Sequence, residues 1–259
     1  MCQCKSKTIP SKGSVMFSKA NDFSLSGNAL KIIAAVSMVL DHVGIMFFPK
    51  IIVFRILGRL AFPIFAFMIA EGCRYTRSKL RYFGGIFILA FLCQSVYFIA
   101  MRSTDLSILV TFSLSVLVIY ALQDFKNKAY DKGCPGARKL ISCLVLLLAV
   151  LGVYILSRIA VLDYGFWGCM CPVFAALLHP ADRSGSTWRS EPRVHALAMC
   201  LPLAMLSLQM QWVQPFCFVS VLLLMFYRGR RGKLNMKYFF YIFYPAHLAI
   251  LQAIALILP

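Results

Sequence analysis

Acidic side chains are scarce in this chain. It has nine Asp and Glu against 27 Lys and Arg in 259 residues. Charged residues of both signs make up only 14%, where a soluble domain carries about 25%. That is too little charge to cover a wetted surface, which excludes an ordinary soluble globular protein. The ten cysteines contain no CxxC pair. Their nearest pairs are Cys2 with Cys4 and Cys169 with Cys171, and no histidine pattern completes a zinc site. The expectation is no metal, with most cysteines reduced and acting as small packing residues. Cys2 and Cys4 are the candidates for acylation. No apolar core precedes the first long hydrophobic run, so residues 1–28 read as a polar basic segment rather than a cleavable signal. No internal repeat is visible, although inverted-repeat transporters often show theirs only faintly.

What the chain does have is apolar length. Hydrophobic residues make up 61%, and the mean hydropathy is +0.78. Nine runs approach the roughly 20 residues that cross a bilayer: 29–48, 52–72, 82–101, 107–123, 140–157, 160–179, 194–208, 212–227 and 238–258. The seventh is short and contains Pro202, so eight spans with a re-entrant segment is the alternative. The fold class is therefore an all-α polytopic membrane protein, with residues 29–259 as one helical domain. The net charge of +18 does not indicate nucleic acid, because the charges cluster between apolar runs. Alternate connections hold 21 and four basic residues, the four being Lys50, Arg55, Arg102 and Arg158. Lys and Arg accumulate on the cytoplasmic side. This alternation predicts nine spans, a cytoplasmic N-terminus and an external C-terminus. The basic connections 124–139 and 180–193 carry Gly, Pro and Ser and read as cytoplasmic loops, where lipid binding is the plain explanation and phosphate binding the functional one.

The first two spans form a hairpin turning at Pro49-Lys50, and ionisable groups lie inside it. Each costs roughly 2.5–3.5 kcal/mol in hydrocarbon, so each needs a partner, a wet cavity or a function. Lys31 and His42 share a helix face, eleven residues and about 16 Å apart. His42 is suited to proton transfer near neutral pH; its structural alternative is a bond to a carbonyl. Asp41 is expected to pair with Arg59, which would pin the two helices. Pro63 frees the Arg59 carbonyl, and a kink there opens a polar pocket. Glu71, Arg74 and Tyr75 stand together at the inner end, as a surface pair or as part of a binding site. Asp163 and Tyr164 fall near the outer end of the sixth span, followed by Gly165 and Gly168, which permit close helix packing. In the last span Tyr241, Tyr244 and His247 gather on one face beside Pro245. An aromatic belt accounts for the tyrosines, but not for a deep histidine.

These residues carry a resemblance. DHVG in the first span, RILGRLAFPIFAFMIAEGCRYTRS in the second, DYGFWG in the sixth and FYIFYPAHL in the last resemble the TraX family over nearly all of residues 29–258. The family is known for acetylating the amino terminus of pilin, and it looks related to multi-span acyltransferases that carry acyl groups across a membrane. In that class a histidine eleven positions after a basic residue is catalytic, which the resemblance places at His42 with Lys31. Lys31 stands where Arg is usual, keeping the charge and losing the bidentate fork. The resemblance implies a multi-pass protein of the bacterial inner membrane using acetyl-CoA, or another acyl-CoA, from the cytoplasm.

The expected function is thus acyl transfer to a protein, peptide, lipid or small-amine acceptor. His42 is the expected base, with Asp41, Arg59, His247 and Tyr244 as further catalytic candidates. Lys31, Arg74, Arg77, Tyr75, Glu71 and Lys237 are the candidates for holding CoA, and Asp163 and Tyr164 lie on the acceptor side. The rival readings are a proton-coupled transporter or channel lined by Asp41, His42, Asp163 and His247, and a scaffold in a secretion complex.

Overall fold

The computed structural model describes residues 24–101, 105–179, 191–210, 212–232 and 236–257. Most of the basic N-terminal segment, the greater part of the 180–193 connection, and Arg102 lie outside these residues. Among the described residues the fold is helical with no named strand. The helices are α1 (Gly27–Met46), α2 (Ile52–Gly58), α3 (Ala61–Tyr75), α4 (Lys79–Met101), α5 (Ile108–Tyr130), α6 (Gly136–Ile159), α7 (Gly165–Leu177), α8 (Pro192–Ala198), α9 (Cys200–Gln209), α10 (Phe218–Met225, entered through a 3₁₀ turn at Gln214–Cys217) and α11 (Lys237–Ile257). Five helical stretches are long and apolar enough to cross a bilayer: 27–46, 52–75, 79–96, 108–130 and 136–159. The apolar helices 165–177, 214–225 and 242–257 are shorter.

The hairpin is tight because glycine lets its arms touch. A Cβ on Gly58 would lie 2.4 Å from the Asp41 Cβ, and one on Gly44 would lie 2.5 Å from the Phe54 Cβ. The second arm does not run straight. Pro63 has no N–H to return to the Arg59 carbonyl, and the helix breaks at Arg59–Leu60. The Arg59 N–H bonds back to Arg55 and Ile56, the Leu60 N–H bonds to Leu57, and α3 restarts at Ala61. The kink expected from Pro63 is thus a full interruption.

α1 packs on α2 and α3, α5 lies against α4, α6 and α7, and α7 touches α3 and α9. The core between them contains Phe62, Ile64, Phe67, Val116, Ile119, Met199, Leu203 and Leu224. Cys169, Cys171 and Cys217 are fully buried within it, Cys73 and Cys93 are buried too, and Cys134, Cys143 and Cys200 are partly exposed. α6 buries only Ser142 and Val153. Its exposed Leu and Ile residues are the surface a bilayer would cover.

Three expected boundaries change. α5 continues to Tyr130, so the connection read as 124–139 shrinks to residues 131–135. Its charges face a helix rather than a loop: Lys128 pairs with Asp124 at 2.6 Å, one turn away. Lys126 Nζ donates to the carbonyls of Ala176, Leu177 and His179 and caps the end of α7. The sixth apolar run begins not with helix but with a tied turn. The Leu106 N–H bonds to Val161, and the Asp163 N–H bonds to Leu106. The seventh run divides at Met199 into α8 and α9.

Candidate functional site

A cavity of about 1250 Å³ runs through the helices. Small-molecule pockets usually hold roughly 300–1,000 Å³. Its wall follows α1 from Gly27 through Lys31, Met38, Asp41 and His42 to Ile45. That is about 27 Å of helix at 1.5 Å per residue. At the Gly27 end the wall adds Asn28, Glu71, Tyr75, Tyr227 and Arg231. At the Ile45 end it adds Arg55, Arg59, Asp105, Asp163, Tyr164 and Gln214, with Tyr244 from α11.

The Gly27 end is framed by hydrogen bonds between distant parts of the chain. Ser26 caps α1 by accepting from the Ala29 N–H at 3.2 Å. The N–H groups of Leu25, Gly27 and Asn28 bond to the carbonyls of Phe226, Arg230 and Arg231. The helix start is therefore closed by backbone, and side chains supply the charge there. Lys31 Nζ lies 5.9 Å from the Phe240 ring centroid, and Lys31 and Arg231 share the wall. Arg231 was not among the expected residues. Of those that were, Lys31, Tyr75 and Glu71 line the cavity. Arg74 and Arg77 do not: Arg74 turns to Glu71 at 3.9 Å and to the Tyr75 ring at 5.2 Å, and Arg77 is exposed. Lys237 opens α11, and its side chain lies outside the described residues.

Towards the Ile45 end, His42 Nδ1–H donates to the Met38 carbonyl at 2.8 Å. A carbonyl only accepts, so Nδ1 carries a proton, and in the neutral ring Nε2 is the nitrogen with the lone pair. His247 repeats the device with the Phe243 carbonyl at 3.0 Å. The two imidazoles meet edge to face, 5.2 Å between centroids, and Tyr244 lies 5.5 Å from His247. His247 Nε2 is buried without a hydrogen-bond partner among the described residues. The carbonyl bond foreseen as the plain alternative for His42 is therefore present, and it leaves the other nitrogen in the form of a base.

Asp41 pairs with Arg55 at 3.2 Å, not with Arg59. The reason is the helix break. Arg55 lies one turn before it and still faces α1. Arg59 lies at it and turns towards Tyr164 and Asp163. Arg59 is buried, and its Nε has no hydrogen-bond partner among the described residues. Tyr164 stands in the left-handed region at φ 62° and stacks on Phe62 at 4.1 Å. That conformation is costly for a bulky residue. Gly168 accommodates it: a Cβ there would lie 2.4 Å from the Tyr164 Cβ. Gly165, at φ 57°, shapes the turn, while Gly168 also lies against α5 as expected, where a Cβ would be 3.6 Å from the Thr111 methyl. Thr111 locks it by donating to the Asp163 carbonyl at 2.9 Å.

The structure also joins residues that the sequence left apart. Glu71 meets His179 Nε2 at 3.5 Å and His195 Nδ1 at 3.6 Å, and all three are buried. Their ligand atoms lie within 4.8 Å of one another, a donor set able to hold a metal ion. No histidine pattern in the sequence points to this set. The three groups come from α3, the end of α7 and α8, so no spacing motif records them. The available signal was compositional. The chain has four histidines, and in the fold they form two pairs.

The family model described as TraX protein matches residues 26–255. A probable fimbrial assembly protein FimC, serogroup H1, of Dichelobacter nodosus is 25% identical over 254 residues, covering 90% of this chain and 96% of its own length. An uncharacterized protein, RP591, of Rickettsia prowazekii (strain Madrid E) is 42% identical over 38 residues, 15% of each chain. No solved structure matches. A match from Ser26 to Ala255 takes in both arms of the hairpin, the turn at Asp163 and the final helix, and on that ground the chain belongs to the TraX family.

Proposed function

We propose that this TraX-family protein is an integral membrane acyltransferase, moving an acetyl group from acetyl-CoA, or another acyl-CoA, to an amine or hydroxyl acceptor. The observation that carries the reading is the cavity along nearly all of α1, with Lys31 and Arg231 at one end and His42 towards the other, where Arg55 and Arg59 also line it. In this reading the protein lies in the bacterial inner membrane with nine spans and the Gly27 end cytoplasmic. Lys31 and Arg231 would meet the CoA phosphates as charge-assisted donors, joined by Arg74, Arg77 and Lys237 if the CoA extends beyond the cavity. Family membership and the fimbrial relative support a pilin-like amino terminus as acceptor.

The chemistry asked of the site is modest. The acceptor nitrogen attacks the thioester carbon while His42 Nε2 takes its proton. The tetrahedral oxyanion needs a donor, and Arg59 and Tyr164 are the groups at that end that could supply one. The C–S bond then breaks, and the imidazolium returns its proton to the departing sulfur, which releases the free thiol and restores the base. The Asp41–Arg55 pair fixes the helix that carries His42.

The test is transfer of labelled acetyl from acetyl-CoA to a peptide with a free amino terminus, using purified protein in lipid nanodiscs. Label on the peptide, with release of free thiol, is the expected result. No acyl-CoA binding, together with proton or solute flux in vesicles, would instead favour a transporter lined by the same residues.

A further inference from the structure

We propose that Glu71, His179 and His195 bind one zinc-class divalent cation and so clip α3 to both ends of the 180–190 connection. This does not depend on the acyltransferase reading. Three observations carry it. The first is distance. At 3.5 and 3.6 Å the Glu71 oxygen is beyond good hydrogen-bond range of either imidazole. Two ligands on a tetrahedral zinc at ~2.0–2.1 Å are ~3.3–3.4 Å apart, so Glu71 already stands near that spacing from each imidazole, and all three ligand atoms lie within 4.8 Å of one another. The second is burial. Glu71 and His179 are more than nine-tenths buried, and both Glu71 oxygens and both His179 ring nitrogens lack hydrogen bonds among the described residues. Buried polar atoms are rarely left so, and an ion is one of the few explanations. The third is positioning. The Lys126 cap fixes the backbone at His179, and Arg74, 3.9 Å from the same Glu71 oxygen, is placed to orient the carboxylate.

Two imidazoles and a carboxylate form a borderline donor set that suits zinc and leaves a fourth position open. Glu71 also lines the cavity, so the ion would sit at the wall near the Gly27 end. With Arg74 adjacent, the negative charge of Glu71 is needed to hold a dication.

Full-length protein in detergent, stripped by chelator and dialysed against zinc, should retain about one ion per chain. X-ray absorption should show a nitrogen and oxygen shell at ~2.0–2.1 Å and no sulfur at ~2.3 Å, which separates this site from the ten cysteines. Zinc should raise the wild-type melting temperature. His179→Ala with His195→Ala should lose the ion. The near-isosteric Glu71→Gln, a variant less prone to misfold, should bind at least tenfold more weakly. A wild type that stays metal-free, a sulfur shell, or retention of the ion by Glu71→Gln at unchanged affinity would each overturn the proposal.

Discussion

The rings of His42 and His247 touch edge to face, 5.2 Å between centroids, although one belongs to the first helix and the other to the last. Each has its Nδ1 proton committed to a helix carbonyl. They differ in surroundings, because His42 lines the cavity and His247 is buried. His42→Gln should keep acyl-CoA affinity, keep stability within about 1 kcal/mol and lose about 10²–10⁴ in transfer rate. His247→Gln should lose less. Transfer kinetics on both variants decide it, and a dead His247→Gln beside an active His42→Gln would reverse the assignment.

The salt bridge of Asp41 is expected to couple to Arg55 alone. Asp41→Ala should destabilise the protein by about 1–3 kcal/mol, the loss of a charge-assisted hydrogen bond. Exchanging the charges, Asp41→Arg with Arg55→Asp, should recover part of that loss. The same exchange with Arg59 should recover none. A double-mutant cycle on denaturation in detergent measures both couplings.

Glycines in this fold are not equivalent. Gly58→Ala drives a Cβ into Asp41 and should cost about 1–3 kcal/mol as overpacking. Gly152→Ala on α6 meets nothing within 4 Å and should be neutral or stabilising by about 0.5–1 kcal/mol. Thermal melts of the two variants give the contrast, and equal effects would mean that the hairpin arms are not in close contact.

Orientation follows from the uneven split of basic residues between the two sets of connections. A reporter fused after Pro259 should behave as external, and one inserted at Gly133 as cytoplasmic. Both reporters on one side would discard the nine-span arrangement.

Helices were legible in this sequence because a bilayer leaves few alternatives: long apolar runs must satisfy their own backbone. The boundaries at Gly27, Ile108 and Lys237 follow that logic closely. The break at Arg59 was legible too, since Pro63 names the carbonyl it abandons. Its consequence for Asp41 was not, because a break re-aims a side chain by an amount that sequence spacing cannot supply. The helical end of α5 was hidden by its polarity: Asp124, Lys126 and Lys128 look like loop residues until their partners on α5 and α7 are known. His179 and His195 were missed for a related reason. Their common partner, Glu71, lies in another helix far back along the chain.

The hydrogen bonds from Leu25, Gly27 and Asn28 to Phe226, Arg230 and Arg231 impose an order in time. The ribosome adds roughly 5–20 residues per second, so about 10–40 s pass between the making of the first helix and the making of the carbonyls that receive its leading amides. Through that interval the first turn of α1 lacks these backbone partners. The framed start of α1, beside Lys31, can therefore form only after residues 226–231 have been made.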